Sequence, residues 1–323
     1  MKQTLLLKLL PLIIFGIAFL LYSNTLKFQY ACDDGLYTYS NKYVQKGVSS
    51  IPHILTHSSI DGLDLPYFPD YRPTVPIIFS VESSLFGSSP STHHFFNVFY
   101  YSLLCVLIFL FLRQILFQYP PILLILITLL YVFHPIHTEV VANIKGRNEI
   151  IPMLFGIISL YTIYLYFKNK NTIYFLLSLV AFTLATFSKP CALTFFPITL
   201  LVLYFFTHVP FKRQLKILMP FAILSFSYLY VRSSILTDYC LKLPLLLNDN
   251  SLLAATNIGE RTSTVFSMLL VYLKLLFFQI KLSWEYSYNT FSIVSITNIK
   301  LLISHALHLA LLAIVIKGLR EKN

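Results

Sequence analysis

Residues 4–22, TLLLKLLPLIIFGIAFLLY, and residues 27–35, KFQYACDDG, decide how this chain folds. The first stretch is long and apolar enough to cross a membrane. No small-residue cleavage site follows it, so we predict an uncleaved first helix and not a signal peptide. The second stretch places two neighbouring carboxylates, Asp33 and Asp34, at the membrane surface. Ionised neighbours repel, and beside the low-dielectric bilayer one of the two should hold its proton more tightly.

The aspartate pair has two interpretations. A carboxylate with a raised pKa could serve as a general base in an active site that faces lipid. Asp33-Asp34-Gly35 is also typical of a turn in a solvated loop. From these three residues alone the turn is the commoner interpretation.

The composition defines the class of protein. Of the 323 residues, 57% are hydrophobic and 11% are charged, with a mean hydropathy of +0.73, whereas a soluble domain carries about 25% charged residues. We therefore predict an all-α polytopic membrane protein with no soluble domain. The net charge of +11 does not indicate nucleic-acid binding. In a membrane protein, the distribution of basic residues between the two sides of the membrane is the informative quantity. Four cysteines without CxxC spacing indicate neither a zinc site nor a redox motif.

Eight apolar segments reach membrane-crossing length, at about 4–22, 97–118, 121–137, 150–167, 172–188, 191–207, 215–233 and 299–317. A ninth candidate, 261–282, contains Arg261, Lys274 and Lys281. A lysine inside a span is costly, so we predict an interfacial or re-entrant helix there.

The charge distribution sets the orientation. With the N-terminus in the cytoplasm, the inner side collects Lys2, Lys8, Arg113, Lys168, Lys170, Lys212, Arg213, Lys216, Lys317, Arg320 and Lys322. Of the 13 acidic residues only Glu321 falls there, so the other twelve lie outside. This predicts a single membrane domain over 1–323 with both ends inside, a long outer first loop (23–96) and an outer segment (234–298).

The first loop is too long for a plain connector, and long loops are often functional. We expect short helices on its surface, for example over residues 36–47, where Tyr39, Tyr43 and Val44 share one face.

Two basic residues in these outer loops could contact a phosphate. Arg72 lies in a Tyr-Arg-Pro sequence near the end of the first loop, and an arginine can clamp a phosphate with two parallel hydrogen bonds. It could equally anchor the chain at the interface. Lys189 lies at the mouth between the fifth and sixth predicted spans, where a snorkelling lysine is the commoner interpretation.

The sequence HPIHTE (134–139) follows the third predicted span, and Lys145 and Arg147 come next. Two histidines and a glutamate could ligate zinc, although the proline between the histidines breaks the helix that would align them. A basic cluster opposite carboxylates fits an anionic head group at least as well. A polar helix cap is the simplest alternative.

The sequence LSWEYSY (282–288) contains the only tryptophan. Interfacial anchoring explains its aromatic residues but leaves Glu285 without a role. The chain has no GxGxxG, P-loop, GxSxG or HExxH motif, which disfavours soluble nucleotide chemistry.

Taken in order, these motifs resemble the membrane region of the transmembrane and tetratricopeptide-repeat O-mannosyltransferases and their bacterial relatives, which are type C glycosyltransferases (GT-C). The most specific part is HPIHTE followed by Gly146-Arg147. The resemblance covers roughly residues 5–317 and implies a GT-C-like bundle of about eight transmembrane helices. It also implies transfer of a hexose such as mannose from a polyprenyl-phosphate donor to a hydroxyl acceptor, a protein serine or threonine, on the outer face.

The resemblance and the charges together suggest roles for individual residues. They assign catalysis to Asp33, Asp34 and Glu139, donor-phosphate contacts to Arg72, Lys145, Arg147 and Lys189, and substrate contacts to His134, His137 and Glu285. The general base is Asp33 or Asp34, without a choice between them. No metal ligand is assigned, and a divalent metal stays open as a cofactor. The site would face the periplasm in a bacterium, from the inner membrane, or the lumen of the endoplasmic reticulum in a eukaryote.

The chain also departs from the family pattern. Family members usually have Lys-Glu at Lys189-Pro190 and aspartate at Glu285, and they continue beyond the position of Asn323. A second chain could complete the fold. The alternatives are a transporter or flippase for lipid-linked sugars and a non-catalytic truncated subunit. Transporters tend to carry ionisable groups near the midplane, whereas the acids here cluster at the outer ends, which favours the enzyme.

Overall fold

The computed structural model of the protein describes residues 2–63, 70–239, 251–280, 282, 283, 286 and 290–321. Over these residues every regular element is a helix, which confirms the predicted all-α class. The chain forms two compact units, Met1–Leu241 and Lys242–Asn323. The single domain over 1–323 stays a prediction.

The helices of the first unit are α1 (Lys2–Tyr22), α2 (Lys42–Gln45), α3 (Ile51–Thr56), α4 (Thr74–Phe86), α5 (Pro90–Ile115), α6 (Pro121–Val132), α7 (His137–Ala142), α8 (Arg147–Asn169), α9 (Thr172–Ser188), α10 (Phe195–Phe206) and α11 (Phe211–Tyr239). The second unit contains α12 (Ile258–Phe277) and α13 (Ile299–Glu321). Within it, the Ser304 hydroxyl donates to the Phe266 carbonyl at 2.6 Å and joins the two helices.

Five helices in the described part of the chain are long and apolar enough to cross a membrane: Lys8–Lys27, Pro90–Ile115, Ile144–Asn169, Phe211–Thr237 and Ile299–Glu321. They support the prediction of a multi-pass membrane protein. The other three predicted spans correspond to shorter apolar helices, Pro121–Val132, Thr172–Ser188 and Pro190–Phe206.

Helix α8 is the centre of the first unit and packs between α5 and α9. Ser159 of α8 and Ser178 of α9 donate their hydroxyls to each other's carbonyls, at 3.0 and 2.8 Å. Small hydrogen-bonding residues let membrane helices approach closely. The N-terminal turn of this central helix begins with Arg147, so the candidate site is built on the most buried of the five candidate membrane spans.

The first loop contains a helix that the sequence did not predict. Helix α4 buries Val75 and Phe79 completely, and it also buries Glu82. Its Thr-Val-Pro start is compatible with a helix, because proline is tolerated in the first turn. This buried helix makes residues 74–86 part of the bundle.

The predicted helix over residues 36–47 is wrong. A 3₁₀ helix, Cys32–Tyr37, and the short helix α2 stand in its place. Thr38 is not helical, and the Asn41 side chain accepts the backbone N–H groups of Tyr43 and Val44, at 3.1 and 3.2 Å. An asparagine cap of this kind starts a new helix, so the two segments are separate.

The predicted orientation can be measured with single cysteines in a cysteine-free variant, at exposed Ser49 and at exposed Lys170, Lys212 and Arg320. A membrane-impermeant thiol reagent on intact cells should label position 49 alone, because basic loops stay in the cytoplasm. Labelling at 320 would mean an odd number of spans and would contradict the eight-span count.

Candidate functional site

Asp34 is a buried carboxylate that joins two loops. Its side chain accepts the backbone N–H of Ala31 at 2.9 Å and the backbone N–H of Lys145 at 2.8 Å, one with each oxygen. Burial raises the pKa of this carboxyl, and the two backbone donors oppose the rise. The residue is 1% exposed. Asp34 therefore holds the 143–147 segment against the first loop and has no oxygen open to a substrate.

Asp33 points the other way. Its side chain is 57% exposed and forms an ion pair with the ammonium of Lys145. The sequence predicted a raised pKa and an accessible base in one aspartate of the pair. In the structure the buried Asp34 has a raised pKa, whereas the side chain of Asp33 is accessible to solvent. Of the two, only Asp33 can therefore contact an acceptor.

Arg147 is completely buried. Its guanidinium pairs with Glu82, and its Nε donates to the Asn97 side chain at 2.8 Å. A third nitrogen donates to the His93 carbonyl at 2.7 Å, and the guanidinium stacks 3.9 Å from the Phe79 ring centre. These contacts come from α4 and α5 and enclose the charge. The predicted phosphate contact of Arg147 has no route to a ligand here, and the side chain binds three helices together instead.

This buried network supports the segment that carries Lys145. The Asn97 amide nitrogen donates to the carbonyls of Asn143 and Ile144, at 2.8 and 3.3 Å. Asn97 thus links Arg147 to the backbone on one side of Lys145, while Asp34 holds the Lys145 N–H itself. Side-chain networks of this kind fix loop geometry when all members are satisfied.

A second group of charges lies at the same end of the bundle. Lys189, at the C-terminus of α9, pairs with Glu149 in the first turn of α8. Burial raises the pKa of Glu139, the nearby Glu149 raises it further, and Lys145 and Lys189 oppose the rise. Lys145 and Lys189 therefore lie close to the same carboxylate, which links this group to Asp33.

The two histidines of the HPIHTE sequence face a different environment. The His137 ring packs 4.4 Å from the Tyr131 ring and 5.6 Å from the Tyr101 ring, inside the bundle. His134 accepts the backbone N–H of Ile136 at 3.3 Å, a local side-chain to backbone bond in the turn before α7. The residues described include no group of three or more His, Cys, Asp or Glu that could hold a metal ion.

Arg72 lies on another side of the site and pairs with Asp70 at 2.5 Å. The Tyr228 hydroxyl of α11 donates to the Tyr71 carbonyl at 3.3 Å and brings α11 against this segment. Arg232 and Arg72 are both close enough to Tyr228 to interact with it electrostatically, as is Asp70. Two arginines and one carboxylate therefore lie around Tyr228, which leaves an excess of positive charge there.

Arg232 is the functional candidate that the sequence argument missed. Its Nε is buried and has no hydrogen-bond partner among the described residues. An ionisable residue within a membrane span is rare and often functional, and Arg232 falls within the predicted span 215–233.

An apolar groove leads toward this end between α9 and α11. It is lined by Leu179, Val180, Thr183, Leu184, Pro220, Ile223 and Leu224, with a volume of about 470 Å³. At a rise of about 1.5 Å per residue, Leu184 lies about 7 Å from Lys189 along α9, and Leu224 about 12 Å from Arg232 along α11. Lys189 and Arg232 therefore lie beyond the end of the groove, toward the candidate site.

Gly146 has no room for a side chain. A Cβ there would lie 1.9 Å from the Val140 carbonyl oxygen. Gly146→Ala should therefore displace the loop and destabilise the protein by about 1–3 kcal/mol, measured by unfolding in mixed micelles. Gly16→Ala is the control, because nothing lies within 4 Å of its added carbon. An equal effect of both substitutions would show that the loop is not tightly packed.

Glu285 lies outside the described residues. Asp33, Glu139, Lys145 and Lys189 come together, with Glu149 as a further member. Arg72 adjoins them, since Arg72, Lys189 and Glu149 are all close enough to the Cys191 thiol to interact with it electrostatically. Comparison with known proteins gave no match to a family model, to a curated protein or to a solved structure.

Proposed function

We propose that the chain is a membrane glycosyltransferase of the GT-C type, transferring a sugar from a polyprenyl-phosphate donor to a serine or threonine hydroxyl. The proposal rests on an exposed carboxylate, Asp33, which pairs with Lys145 at the end of the bundle toward which the apolar groove between α9 and α11 leads. A lipid-linked sugar needs these three features together: a groove for the lipid, cations for the phosphate and a base for the acceptor.

The donor would lie with its isoprenoid chain in the α9/α11 groove. Lys189, Arg72 and Arg232 would contact its phosphate, since basic residues near the membrane plane attract phosphorylated lipids. Lys145 would complete the contacts from the side of Asp33. Arg147, which the sequence placed in this group, acts as the buried support of Lys145.

The reaction would be an inverting displacement. Asp33 takes the proton from the acceptor hydroxyl while the oxygen of that hydroxyl attacks the anomeric carbon of the sugar. The bond from that carbon to the phosphate oxygen breaks, and its electron pair leaves with the polyprenyl phosphate. The cations stabilise the charge of this leaving group where it develops. Glu139 lies near both lysines and would orient the sugar or the acceptor.

Eight spans with both ends in the cytoplasm would put this site on the outer face. The charges agree with that placement, because Asp33, Glu139 and Glu149 all lie at one end. A transporter would carry its ionisable groups near the midplane. Arg147, which pairs with Glu82 of α4, is in the first turn of α8 and so near the end of the bundle, which favours a surface-facing enzyme.

Donor recognition can be tested with polyprenyl phosphate as the probe. Lys189→Gln should weaken its binding to the purified protein about tenfold or more, because hydrogen bonds to charged groups contribute about 1.5–3 kcal/mol. Lys170→Gln makes the same charge change at an exposed position at the opposite end of α8 and should leave the affinity unchanged. Equal affinities for both variants would remove Lys189 from the donor site.

A further inference from the structure

A second cavity lies at the opposite end of the bundle, where no residue has an assigned role. It has a volume of about 470 Å³ and is formed where α5, α8 and α10 end. Its walls include the aromatic side chains of Phe117, Tyr164, Phe167 and Phe206, together with Lys168 and His208. Its size is within the range of small-molecule sites.

The ends of α5 and α8 are tied together beside this cavity. The Tyr164 hydroxyl donates to the Gln114 carbonyl at 3.2 Å. The Lys168 ammonium donates to the side-chain oxygen of the same glutamine at 2.7 Å. Lys168 therefore has a fixed position at the cavity wall, but its hydrogen-bond partner is neutral.

The cations at the two ends of the bundle differ in whether they have carboxylate partners. At the end of the bundle that carries the candidate functional site, four cations have carboxylate partners: Arg72 with Asp70, Lys145 with Asp33, Arg147 with Glu82 and Lys189 with Glu149. At the cavity end, the cations are Arg113, Lys168, Lys170, Lys212, Arg213 and Lys216. None of these six has a carboxylate within ion-pair distance in the described residues, and the sequence has no acid between residues 150 and 237.

We propose that this cavity binds the phosphodiester head group of an anionic membrane phospholipid. An anion would supply the negatively charged partner that Lys168 and its neighbours lack. Basic pockets between membrane helices bind such head groups. The aromatic wall would contact the first methylene groups of the acyl chains. In the predicted topology this end faces the cytoplasmic leaflet. The site is independent of the proposed sugar transfer.

The test uses the full chain in nanodiscs and counts retained lipid by native mass spectrometry. Phosphatidylglycerol should be retained over phosphatidylcholine, and Lys168→Gln should lower its affinity about tenfold or more. Lys168→Arg keeps the charge and should retain the lipid. Lys170→Gln removes a charge two residues away, outside the cavity wall, and should cost at most about fivefold through the surface potential.

Three results would overturn the proposal. Equal losses for Lys168→Gln and Lys170→Gln would indicate general surface attraction. Equal retention of both lipids would show that no anion is recognised. Full competition by millimolar inorganic phosphate would identify a site for free phosphate and not for a lipid.

Discussion

Asp33→Asn is expected to lower sugar transfer from a polyprenyl-phosphate donor by about 10²–10⁴-fold, which is the usual effect of losing a general base. Asparagine keeps the shape of the side chain but cannot take a proton. Because Asp33 is exposed and its contact among the described residues is the ion pair with Lys145, the variant should fold normally. The rate is measured with purified protein and a labelled donor, per molecule of folded enzyme.

The neighbouring substitution should behave differently. Asp34→Asn replaces one acceptor oxygen by an amide nitrogen, so the backbone N–H of Ala31 or Lys145 loses its partner. We expect a stability loss of about 1–3 kcal/mol.

Asp61→Asn is the matched control for Asp33→Asn, since Asp61 also lies in the first loop and pairs with a basic side chain, His53. Near-normal transfer by Asp33→Asn would remove it as the base.

Arg147→Met is expected to destabilise the protein by about 3–5 kcal/mol, because it leaves the Glu82 carboxylate buried without its partner. Asn97 and the His93 carbonyl also lose their donors. Unfolding by SDS in mixed micelles measures the loss. The double variant Glu82→Gln/Arg147→Met removes both charges and should recover a large part of the stability, so the two effects should not add.

This pair of variants distinguishes two roles for Arg147. If the arginine contacted a donor phosphate, as the sequence suggested, Arg147→Met would bind polyprenyl phosphate weakly and unfold like the parent. A stability change below about 0.5 kcal/mol, which is typical of surface substitutions, would contradict the buried network.

Hydrophobicity predicted most of the large helices. Helix α9 occupies residues 172–188, as expected, because an unbroken apolar run leaves few other choices in a membrane. Helix α6 ends at Val132 and not at 137, since Pro135 follows within one turn. Helix α4 was missed because its burial depends on contacts with other helices, and its sequence alone resembles a loop with prolines.

The residues of the candidate site were easier to propose than their roles. Charged residue types beside apolar spans identified Asp33, Lys145 and Lys189. The roles of Arg147 and Asp34 depend on burial, which is decided by packing partners far away in the sequence, such as Glu82. Arg232 was overlooked because it was counted within a span.

The measurement that tests the central claim most directly is the fate of the donor with the purified wild-type chain. Polyprenyl phosphate carrying radiolabelled mannose, glucose or N-acetylglucosamine is incubated with a peptide containing serine and threonine. We expect one of these labels to move to the peptide and one free polyprenyl phosphate to appear for each sugar transferred. If every label stayed on the lipid while the protein remained folded, the chain would not be a glycosyltransferase acting on these donors, and the account would be contradicted.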